Sequence, residues 1–581
     1  MLTRHALFIQ KCISVGYGIC FCLFIIFIRL FYLQVYQSAY YELKGQKNFL
    51  RVEKTSSVRG NILDVNGTLL ATNRPITNLI WQGTGNALLS NAQQNTIAVL
   101  ELIIPSLSDP EKNILKKIRR AERYRIKVQL TTDITFEQLS QIKEQLSADS
   151  NIAFDTHYKR FYPFKSLACH ILGYIGQVDL QACGRMGLEK VLEDSLKGEQ
   201  GQLLHTMNSV GRSLESTEIK KALAGKDIMT TIDIELQEIV ERVFPEYYCG
   251  TFIVMDPQDG SLMAVLSRPN FDPTIFLNPI DAHMWLNLQE NQRFLNRAFN
   301  ACYPPGSIFK LVSVSAALET HMVEIETVLY CKGYVEFGGR KYWCHKRYGH
   351  GNLSTHQAVA ESCNTLFFEI GKKISIDTLA QYAFKFGLGK KPQALFAQKE
   401  GLVPSTHWRM AKGERWWPGE TLSASIGQSC LLVTPVQVAC MISGIFTGTL
   451  MNPRILIDEP IYSTPLDLEP ETLTFLRESM RSVVTQGTGK NVSKIKDIEI
   501  YAKTSTAQTS SYEKRNLGEK YLEHGWFVMH FKYKDYNPLT VVILVEHTGS
   551  SKHATNIAKQ FLIEYKKLMD LDPTLNKNII S

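Results

Sequence analysis

The stretch Gly250-Thr-Phe-Ile-Val-Met-Asp256 is almost entirely apolar. A second apolar stretch, Ser261-Leu-Met-Ala-Val-Leu-Ser267, follows it after a turn at Asp259-Gly260. Short apolar runs bounded by turn residues are typical of buried strands, and Asp-Gly between two of them favours a tight hairpin. The sequence therefore predicts a pair of antiparallel strands inside a domain.

Two further apolar stretches lie near the C-terminus, Gly525-Trp-Phe-Val-Met-His530 and Leu539-Thr-Val-Val-Ile-Leu-Val545. A helical pattern follows them from about Ala554 to Lys567. Strand pairs at both ends of a segment, with helices between them, predict a sheet flanked by helices. We therefore expect an α/β domain over residues 236–570 and a tail over residues 571–581.

The chain before this domain divides further. Asn66-Gly67 separates two apolar runs, which predicts another hairpin. Helical and strand patterns of mixed type continue to about residue 235, so residues 34–235 are expected to form a separate α+β domain. Its first part, 36–58, is polar and helical in character, as a stalk would be. No clustered acid–base set lies in this domain.

An apolar run begins at Cys12 and continues, interrupted only by Arg29, to Leu33. It is long enough to cross a bilayer as a helix. Basic residues in the preceding segment 1–11 favour a cytoplasmic N-terminus and export of everything that follows. A cleaved signal peptide is the alternative, but its apolar region would be shorter and would end in small residues. The sequence favours one uncleaved anchor, residues 12–33, in the cytoplasmic (inner) membrane.

Composition limits the classes of function. The chain has 581 residues, of which 44% are hydrophobic and 21% charged, as is ordinary for a globular protein. The net charge of +8 comes from lysines and arginines scattered along the chain. Without a basic stripe or a nucleic-acid motif, nucleic acid is not an expected partner. An anionic wall or membrane surface suits this charge.

The segment Tyr303-Pro-Pro-Gly-Ser-Ile-Phe-Lys310 is the first candidate for chemistry. Proline and glycine favour a helix start, where free backbone N–H groups stabilise a developing anion. Lys310 lies one turn after Ser307 on the same helix face, and a neutral amine there can accept the serine proton. The alternative is a solvated helix cap with an exposed lysine.

Two later segments complete the candidate site. Ser362 and Asn364 stand in Glu-Ser-Cys-Asn before an apolar stretch, so we expect them at a loop or helix edge. There Ser362 can relay a proton and Asn364 can bind a peptide backbone. The run 500–508, Ile-Tyr-Ala-Lys-Thr-Ser-Thr-Ala-Gln, predicts an exposed strand whose edge can bind an extended peptide. Its Lys503 adds a positive charge that would lower the pKa of Lys310 and attract a carboxylate.

The order Ser-x-x-Lys, Ser-x-Asn, Lys-Thr-x resembles that of penicillin-binding proteins and serine β-lactamases. The domain at 34–235 resembles the pedestal of class B penicillin-binding proteins in four pieces: Arg59-Gly60…Asp64…Asn66-Gly67, Arg160-x-Tyr-Pro, Gly-Tyr-Ile-Gly and Gly-Leu-Glu. Three further motifs are most similar to the branch that serves side-wall elongation: Trp417-Pro-Gly-Glu-Thr421, Ser425-Ile-Gly-Gln428 and Thr434-Pro-Val-Gln437. The division-specific branch is the alternative.

This resemblance implies a serine D,D-transpeptidase that cross-links peptidoglycan stem peptides. Ser307 would attack the penultimate D-alanyl carbonyl to form an acyl-enzyme, and an amine of a neighbouring strand would resolve it. The N–H groups of Ser307 and Thr506 would hold the oxyanion. Lys503 and Thr504 would belong to the same site, and β-lactams would acylate Ser307.

The resemblance also implies partners. These are a polytopic glycan polymerase of the SEDS type and elongation scaffold proteins, by analogy. No organic cofactor is implied. An inactive penicillin-binding scaffold or sensor is an alternative function, although sensors usually carry more membrane helices. A β-lactamase needs neither the anchor nor the pedestal.

Two positions depart from the family pattern. Ser505 stands where the third triplet ends in glycine, and Ser429 stands where glycine usually follows Ile-Gly-Gln. Glycine at the first position lets a substrate approach the strand closely. The side chain of Ser505 either crowds the pocket or adds a hydrogen bond. It is the one feature that favours an inactive scaffold.

Of the twelve cysteines, three lie in the anchor, and the nine that remain cannot all pair within the chain. Three cysteines and a histidine can form a closed zinc site: Cys331, Cys344 and His350, which lie between the first two triplets, and Cys363, which lies inside the second. The resemblance supports one structural Zn²⁺ here, because relatives can hold zinc in this region, with Cys331 as the less certain fourth ligand. A Cys331–Cys344 disulfide and free buried thiols are the alternatives.

Overall fold

The computed structural model describes residues 2–86, 88–110, 113–146, 151–178, 181–207, 213–509 and 512–571. The chain forms two compact units, each built from two stretches. The first comprises Met1–Arg59 and Lys197–Gly225, and the second comprises Gly60–Leu196 and Lys226–Ser581. Apart from Leu571, the predicted tail lies outside the described residues.

The first unit begins with a long helix and ends in a small sheet. Its helical elements are Leu2–Phe31, the π-helical turn Tyr32–Tyr36, and Ser38–Phe49. The apolar segment Lys11–Tyr36 contains the predicted anchor. With 26 residues and a mean hydropathy of 2.2, this segment is long and apolar enough to span a membrane. Three antiparallel strands follow in the order Leu50–Thr55, Gly201–Met207, Ser213–Lys220.

The stalk prediction was wrong in its second half. Residues 36–58 were expected to be helical, but the helix ends at Phe49 and the chain continues as a strand. Leu50–Thr55 pairs along its whole length with Gly201–Met207. A partner so distant in sequence leaves no trace in the local pattern, and tertiary pairing overrides weak helical propensity.

The second unit begins with a five-stranded sheet. The predicted hairpin at Asn66-Gly67 is confirmed, with Asp64 Oδ1 accepting from the N–H of Asn66 and Thr68 at 2.9 and 2.6 Å. The strands are Ile62–Leu63, Leu69–Gln82, Lys127–Thr131, Ile152–Phe161 and Ile228–Met229. The helices packed with them are Asn91–Ile103, Pro105–Leu107 (3-10), Ile114–Tyr124 and Phe136–Gln145.

Two of the four pieces that resembled a pedestal, Gly-Tyr-Ile-Gly and Gly-Leu-Glu, lie in or beside the short elements that follow this sheet. These elements are the helices Cys169–Leu172, Gly187–Val191 and Glu193–Leu196 and the hairpin Ile175–Val178 with Gln181–Gly184. Arg160 and Glu189, from two of the four pieces, form an ion pair at 2.7 Å, with both side chains buried. These two motif residues therefore contribute to the packing of this part of the chain.

A second five-stranded sheet forms the centre of the remaining chain. Its strands are all antiparallel, in the order Leu262–Arg268, Gly250–Met255, Leu539–Val545, His524–Tyr533, Ile498–Ala507. Each predicted strand is confirmed with small changes at its ends. The expectation of an exposed strand at 500–508 was wrong for most of its residues: Ile500, residues 502–505 and Ala507 are buried although the strand lies at the sheet edge.

Helices cover both faces of this sheet. On one face, Ile234–Val243 and Lys552–Leu571 pack against Phe252 and Ile543. On the other, Lys310–Glu319 and Pro435–Thr447 pack in the core that contains Ile253. Alternate strand residues thus enter different cores. The predicted α/β domain with an antiparallel sheet is confirmed, and so is its C-terminal helix.

Further elements surround this core. The other helices are Ala282–Glu290, Arg297–Asn300, Thr355–Ala360, Asn364–Lys373, Ile376–Lys385, Thr406–Met410, Pro418–Ser425 and Pro470–Thr485. The 3-10 turns are Pro273–Leu277, Gly306–Ile308, Lys490–Val492, Tyr512–Leu517 and Glu519–Tyr521. The small strand pairs are Val328–Cys331 with Gly351–Ser354, Tyr334–Phe337 with Arg340–Trp343, and Thr449–Met451 with Ser463–Pro465.

Candidate active site

Ser307 lies in the 3-10 turn Gly306–Ile308, directly before the helix Lys310–Glu319. The predicted helix start is thereby confirmed, and Ser307 is half-buried. Gly306 has a φ of 52°, in the left-handed region that favours glycine. Its N–H donates to the carbonyl of Gly427 at 3.0 Å. The turn is therefore held by backbone contacts as well as by its own geometry.

Lys310 is fully buried, so the alternative of an exposed lysine was wrong. Its amine donates to the carbonyl oxygen and to Oγ of Ser362, at 2.7 and 3.2 Å. It also donates to Oδ1 of Asn364 at 2.7 Å. Burial lowers the pKa of Lys310 to about 8. A substantial neutral fraction near neutral pH makes the amine a usable proton acceptor.

Lys503 approaches Ser362 from the edge strand and donates to the same hydroxyl at 3.0 Å. Burial, and then the charge of Lys310, hold the pKa of Lys503 well below its usual value. The sequence predicted that the charge of Lys503 would lower the pKa of Lys310. Instead, the charge of Lys310 lowers the pKa of Lys503, and burial lowers the pKa of Lys310. The Ser362 hydroxyl lies between two amines and can pass a proton between them.

Ser362 and Asn364 lie where the sequence placed them. Ser362 adopts a φ of 54°, an uncommon conformation for a serine. Asn364 begins the helix Asn364–Lys373, and its amide donates to the carbonyl of Trp343 at 3.2 Å. The amide oxygen of Asn364 is already engaged by Lys310. In this arrangement Asn364 orients Lys310.

The edge strand Ile498–Ala507 pairs on one side with His524–Tyr533. Among the described residues no strand pairs with its other side. Thr506 is exposed, whereas Thr504 is buried and shares a hydrogen bond with the hydroxyl of Thr488 at 2.6 Å. Sequence reasoning missed Thr488. Its position between Gly487 and Gly489 was an available sign of close backbone packing.

The two departures from glycine have different explanations. Ser505 is 2% exposed, and its hydroxyl donates to the carbonyl of Pro305 at 2.8 Å. Of the two expectations for this residue, the added hydrogen bond is the one present. Ser429 is exposed with a φ of 70°, a conformation that glycine adopts without steric cost.

The four predicted metal ligands converge. One ligand atom from each of Cys331, Cys344, His350 and Cys363 lies within 4.8 Å of all the others. Two sulfur–nitrogen distances, from His350 Nδ1 to Cys331 and to Cys344, are 3.5 and 3.6 Å. The sulfurs of Cys344 and Cys363 lie 3.9 Å apart. All three cysteines carry free thiols, so the disulfide alternative is not formed.

These distances fit a tetrahedral ion. With Zn–S of about 2.3 Å and Zn–N of about 2.0 Å, neighbouring ligand atoms lie about 3.5 to 3.8 Å apart. The hydrogen bond between the two sulfurs lowers the pKa of the Cys344 thiol and raises that of Cys363. Nε2 of His350 is buried and has no hydrogen-bond partner in the part of the chain that the structure describes.

Comparison with known proteins gives consistent results along most of the chain. The family model for the penicillin-binding protein transpeptidase domain matches residues 250–563, and that for the penicillin-binding protein dimerisation domain matches residues 54–230. The peptidoglycan D,D-transpeptidase MrdA of Acinetobacter baumannii is 29% identical, over 93% of this chain and 84% of the relative. MrdA of Escherichia coli K12 is 24% identical, over 98% and 95%.

Two solved structures share the fold. The complex between penicillin-binding protein 2 (PBP2) and MreC from Helicobacter pylori has a TM-score of 0.76 at 25% identity, and covers 90% of this chain and 99% of that one. A second, described as "structural coordination of polymerization and crosslinking by a peptidoglycan synthase complex", has a TM-score of 0.75 at 26% identity, with 96% and 98% covered.

Proposed function

Because the chain belongs to the penicillin-binding proteins with a transpeptidase domain, we propose that Ser307 forms the acyl-enzyme of its reaction. The chain is a peptidoglycan D,D-transpeptidase of the PBP2 type, which serves cell-wall elongation. The division-specific alternative has less support, since the MrdA relatives match over nearly the whole chain. The domain boundaries at 34–235 and 236–570 stay predictions.

The observation that carries the proposal is the pair of hydrogen bonds from Lys310 and Lys503 to the Ser362 hydroxyl. Neutral Lys310 accepts the proton of Ser307 as its Oγ bonds to the penultimate D-alanyl carbonyl carbon. The carbon–nitrogen bond to the terminal D-alanine then breaks. Ser362 gives its proton to the leaving amine and regains one from Lys310.

The acyl-enzyme is resolved by the reverse sequence. An amine from a second stem peptide loses a proton through Ser362 and attacks the acyl carbon, and Ser307 is released with its proton restored. In both halves the N–H groups of Ser307 and Thr506 stabilise the oxyanion. No described strand pairs with the outer side of the edge strand, which supports binding of an extended stem peptide as an added strand there.

Lys503 has a second role, which is to bind the terminal carboxylate of the stem peptide. Its pKa is low in the substrate-free site. A terminal carboxylate arriving beside Lys503 favours the charged amine, which in turn fixes the carboxylate. A β-lactam carries a carboxylate in a comparable place relative to its reactive carbonyl, and so acylates the same serine.

A structural Zn²⁺ is part of the proposal. Cys331, Cys344, His350 and Cys363 would hold it in a closed site without an open position for substrate. When bound, the ion would fix the loop that precedes Asn364. Cys363 lies between Ser362 and Asn364 in the chain, so a bound ion would stiffen the wall that carries the proton relay.

Location and partners are also proposed. The apolar segment Lys11–Tyr36 supports a single-pass anchor, with residues 1–11 in the cytoplasm and the catalytic domain outside the cytoplasmic membrane. The likeness to PBP2 solved with MreC supports a scaffold partner. The likeness to a synthase complex that couples polymerization and crosslinking supports a SEDS-type glycan polymerase.

Labelling with a fluorescent penicillin tests the nucleophile. The wild-type chain is expected to form one covalent adduct, and peptide mapping should place it on Ser307. Ser307→Ala should fold normally and lose the label, while Ser423→Ala, a half-buried serine on the helix Pro418–Ser425, should keep it. Labelling that persists in Ser307→Ala would contradict the proposal that Ser307 is the nucleophile. Peptide cross-linking in vitro separates the enzyme from an inactive scaffold.

A further inference from the structure

The backbone just before Ser307 is held at three consecutive residues. The carbonyl of Pro304 accepts from the indole N–H of Trp526 at 3.1 Å. The carbonyl of Pro305 accepts from the hydroxyl of Ser505 at 2.8 Å. The N–H of Gly306 donates to the carbonyl of Gly427 at 3.0 Å. Every one of these groups lies within three residues of the proposed nucleophile.

Two of the three anchors come from adjacent strands in register. Ser505 on the edge strand is the direct partner of Trp526 on the neighbouring strand. Their side chains bind successive carbonyls of the proline pair. Without the Ser505 hydroxyl, Trp526 would still hold the turn, but only to the inner strand. Among the described residues, Ser505 is thus the one that ties the edge strand to the turn by a side-chain hydrogen bond.

The position of Ser505 in the chain gives this bond a consequence for the reaction. Ser505 directly precedes Thr506, and its acceptor Pro305 lies two residues before Ser307. The bond therefore joins the two segments that supply the proposed oxyanion N–H groups. The edge strand has no described strand on its outer side, so side-chain contacts toward the turn restrict its movement.

We propose that Ser505 is a positioning residue that sets the spacing between the oxyanion N–H groups of Ser307 and Thr506. This rests on the proposed function of Ser307. A buried hydroxyl bonded at 2.8 Å to a carbonyl makes a short, fixed connection. Glycine at position 505, the residue usual in the family, cannot make this bond.

The absence of a side chain at Gly306 leaves room for the Ser505 hydroxyl. A Cβ placed on Gly306 would lie 2.5 Å from the Ser505 hydroxyl oxygen. The serine therefore occupies the space that a larger residue in the turn would need. The substitution of serine for glycine on the strand is accommodated by a glycine in the turn, so Ser505 does not crowd the face that receives substrate.

Acylation kinetics test the inference, because they separate binding from chemistry. Ser505→Ala removes the hydroxyl, and Ser505→Gly is a second variant in case alanine is poorly tolerated. Rapid-mixing experiments with a fluorescent penicillin give the dissociation constant of the first complex and the rate constant of acylation. The concentration of active enzyme is obtained by titration with the same fluorescent penicillin, so that only folded, reactive protein is counted. Ser315→Ala is the control, since it removes a buried hydroxyl that donates to Leu311 at 2.8 Å.

Both Ser505 variants should acylate about tenfold more slowly, because displaced oxyanion donors cost transition-state stabilisation. The dissociation constant should stay within about twofold and the pH midpoint should stay in place, since Lys310 is untouched. An acylation rate constant equal to that of Ser315→Ala, or a loss confined to the dissociation constant, would overturn the inference. A wild-type chain labelled elsewhere than on Ser307 would overturn the proposed function and this inference with it.

Discussion

Lys310 and Lys503 donate hydrogen bonds to one hydroxyl, that of Ser362, over distances of 3.2 and 3.0 Å. Both amines are fully buried. Two charged amines around one oxygen, out of contact with water, repel each other and lose their hydration. The site therefore favours states with fewer than two positive charges, and the Ser362 hydroxyl is where the proton between them is exchanged.

The rate of acylation should rise with pH through about 8. Burial lowers the pKa of Lys310 to about 8, so the neutral, proton-accepting form grows as pH increases through that value. At pH 7 about one tenth of the amine is neutral. Acylation by a fluorescent penicillin, measured between pH 6 and 9.5, checks this, with the probe's own hydrolysis as control. A rate that falls between pH 7 and 9 would contradict Lys310 as the base.

Ser362→Gly should give a stable but slow enzyme. Ser362 has a φ of 54°, which glycine adopts without strain, so the melting temperature should hold or rise. Loss of the hydroxyl interrupts the proton relay and should lower acylation by about 10²- to 10⁴-fold. Ser362→Ala should be equally slow but less stable, because it keeps a Cβ in the left-handed conformation. Wild-type rates in the glycine variant would show that the hydroxyl is dispensable.

Purified protein should contain about one equivalent of zinc. Cys344→Ser should lower the zinc content and the melting temperature, because Cys344 lies close to both His350 and Cys363. Cys302→Ser is the matched control, a half-buried cysteine outside the cluster. Elemental analysis and thermal unfolding with and without a chelator give the measurement. A content below about a tenth of an equivalent would argue for free buried thiols.

Glu189→Ala should destabilise the fold by about 3–5 kcal/mol, since it leaves the guanidinium of Arg160 buried without its partner. The two side chains are 0% and 1% exposed. Asp133→Ala is the control, because Asp133 pairs with Arg74 at a partly exposed site and should cost less than about 1 kcal/mol. Denaturant unfolding compares the two. Equal effects would mean that the buried pair is not the source of stability.

The central sheet could be predicted from the sequence because its strands are buried on both faces. Gly250–Met255 and Leu539–Val545 are buried at every residue, and such runs stand out against turn residues. The order of the strands could not be derived in this way. It depends on pairing across almost three hundred residues, which local pattern does not encode.

In the candidate site too, some features could be predicted from local sequence and others depend on the tertiary fold. Lys310 one turn after Ser307 follows from helical geometry, and the helix start follows from proline and glycine. That Lys310, Ser362 and Lys503 belong to one site was expected from the three segments taken together, but their hydrogen bonds depend on the tertiary fold. The direction of the Ser505 hydroxyl was not predictable, because its acceptor Pro305 is brought close only by the tertiary fold.

The pairing of Leu50–Thr55 with Gly201–Met207 limits how a water-soluble form of this protein can be made. A truncation after the apolar segment that ends at Tyr36 removes the membrane-seeking surface and keeps this strand. A truncation at residue 60 also removes the strand, and the chain from Gly201 to Met207 then presents unpaired N–H and C=O groups. Such an open edge invites pairing between molecules, so the longer form should stay dispersed where the shorter one aggregates.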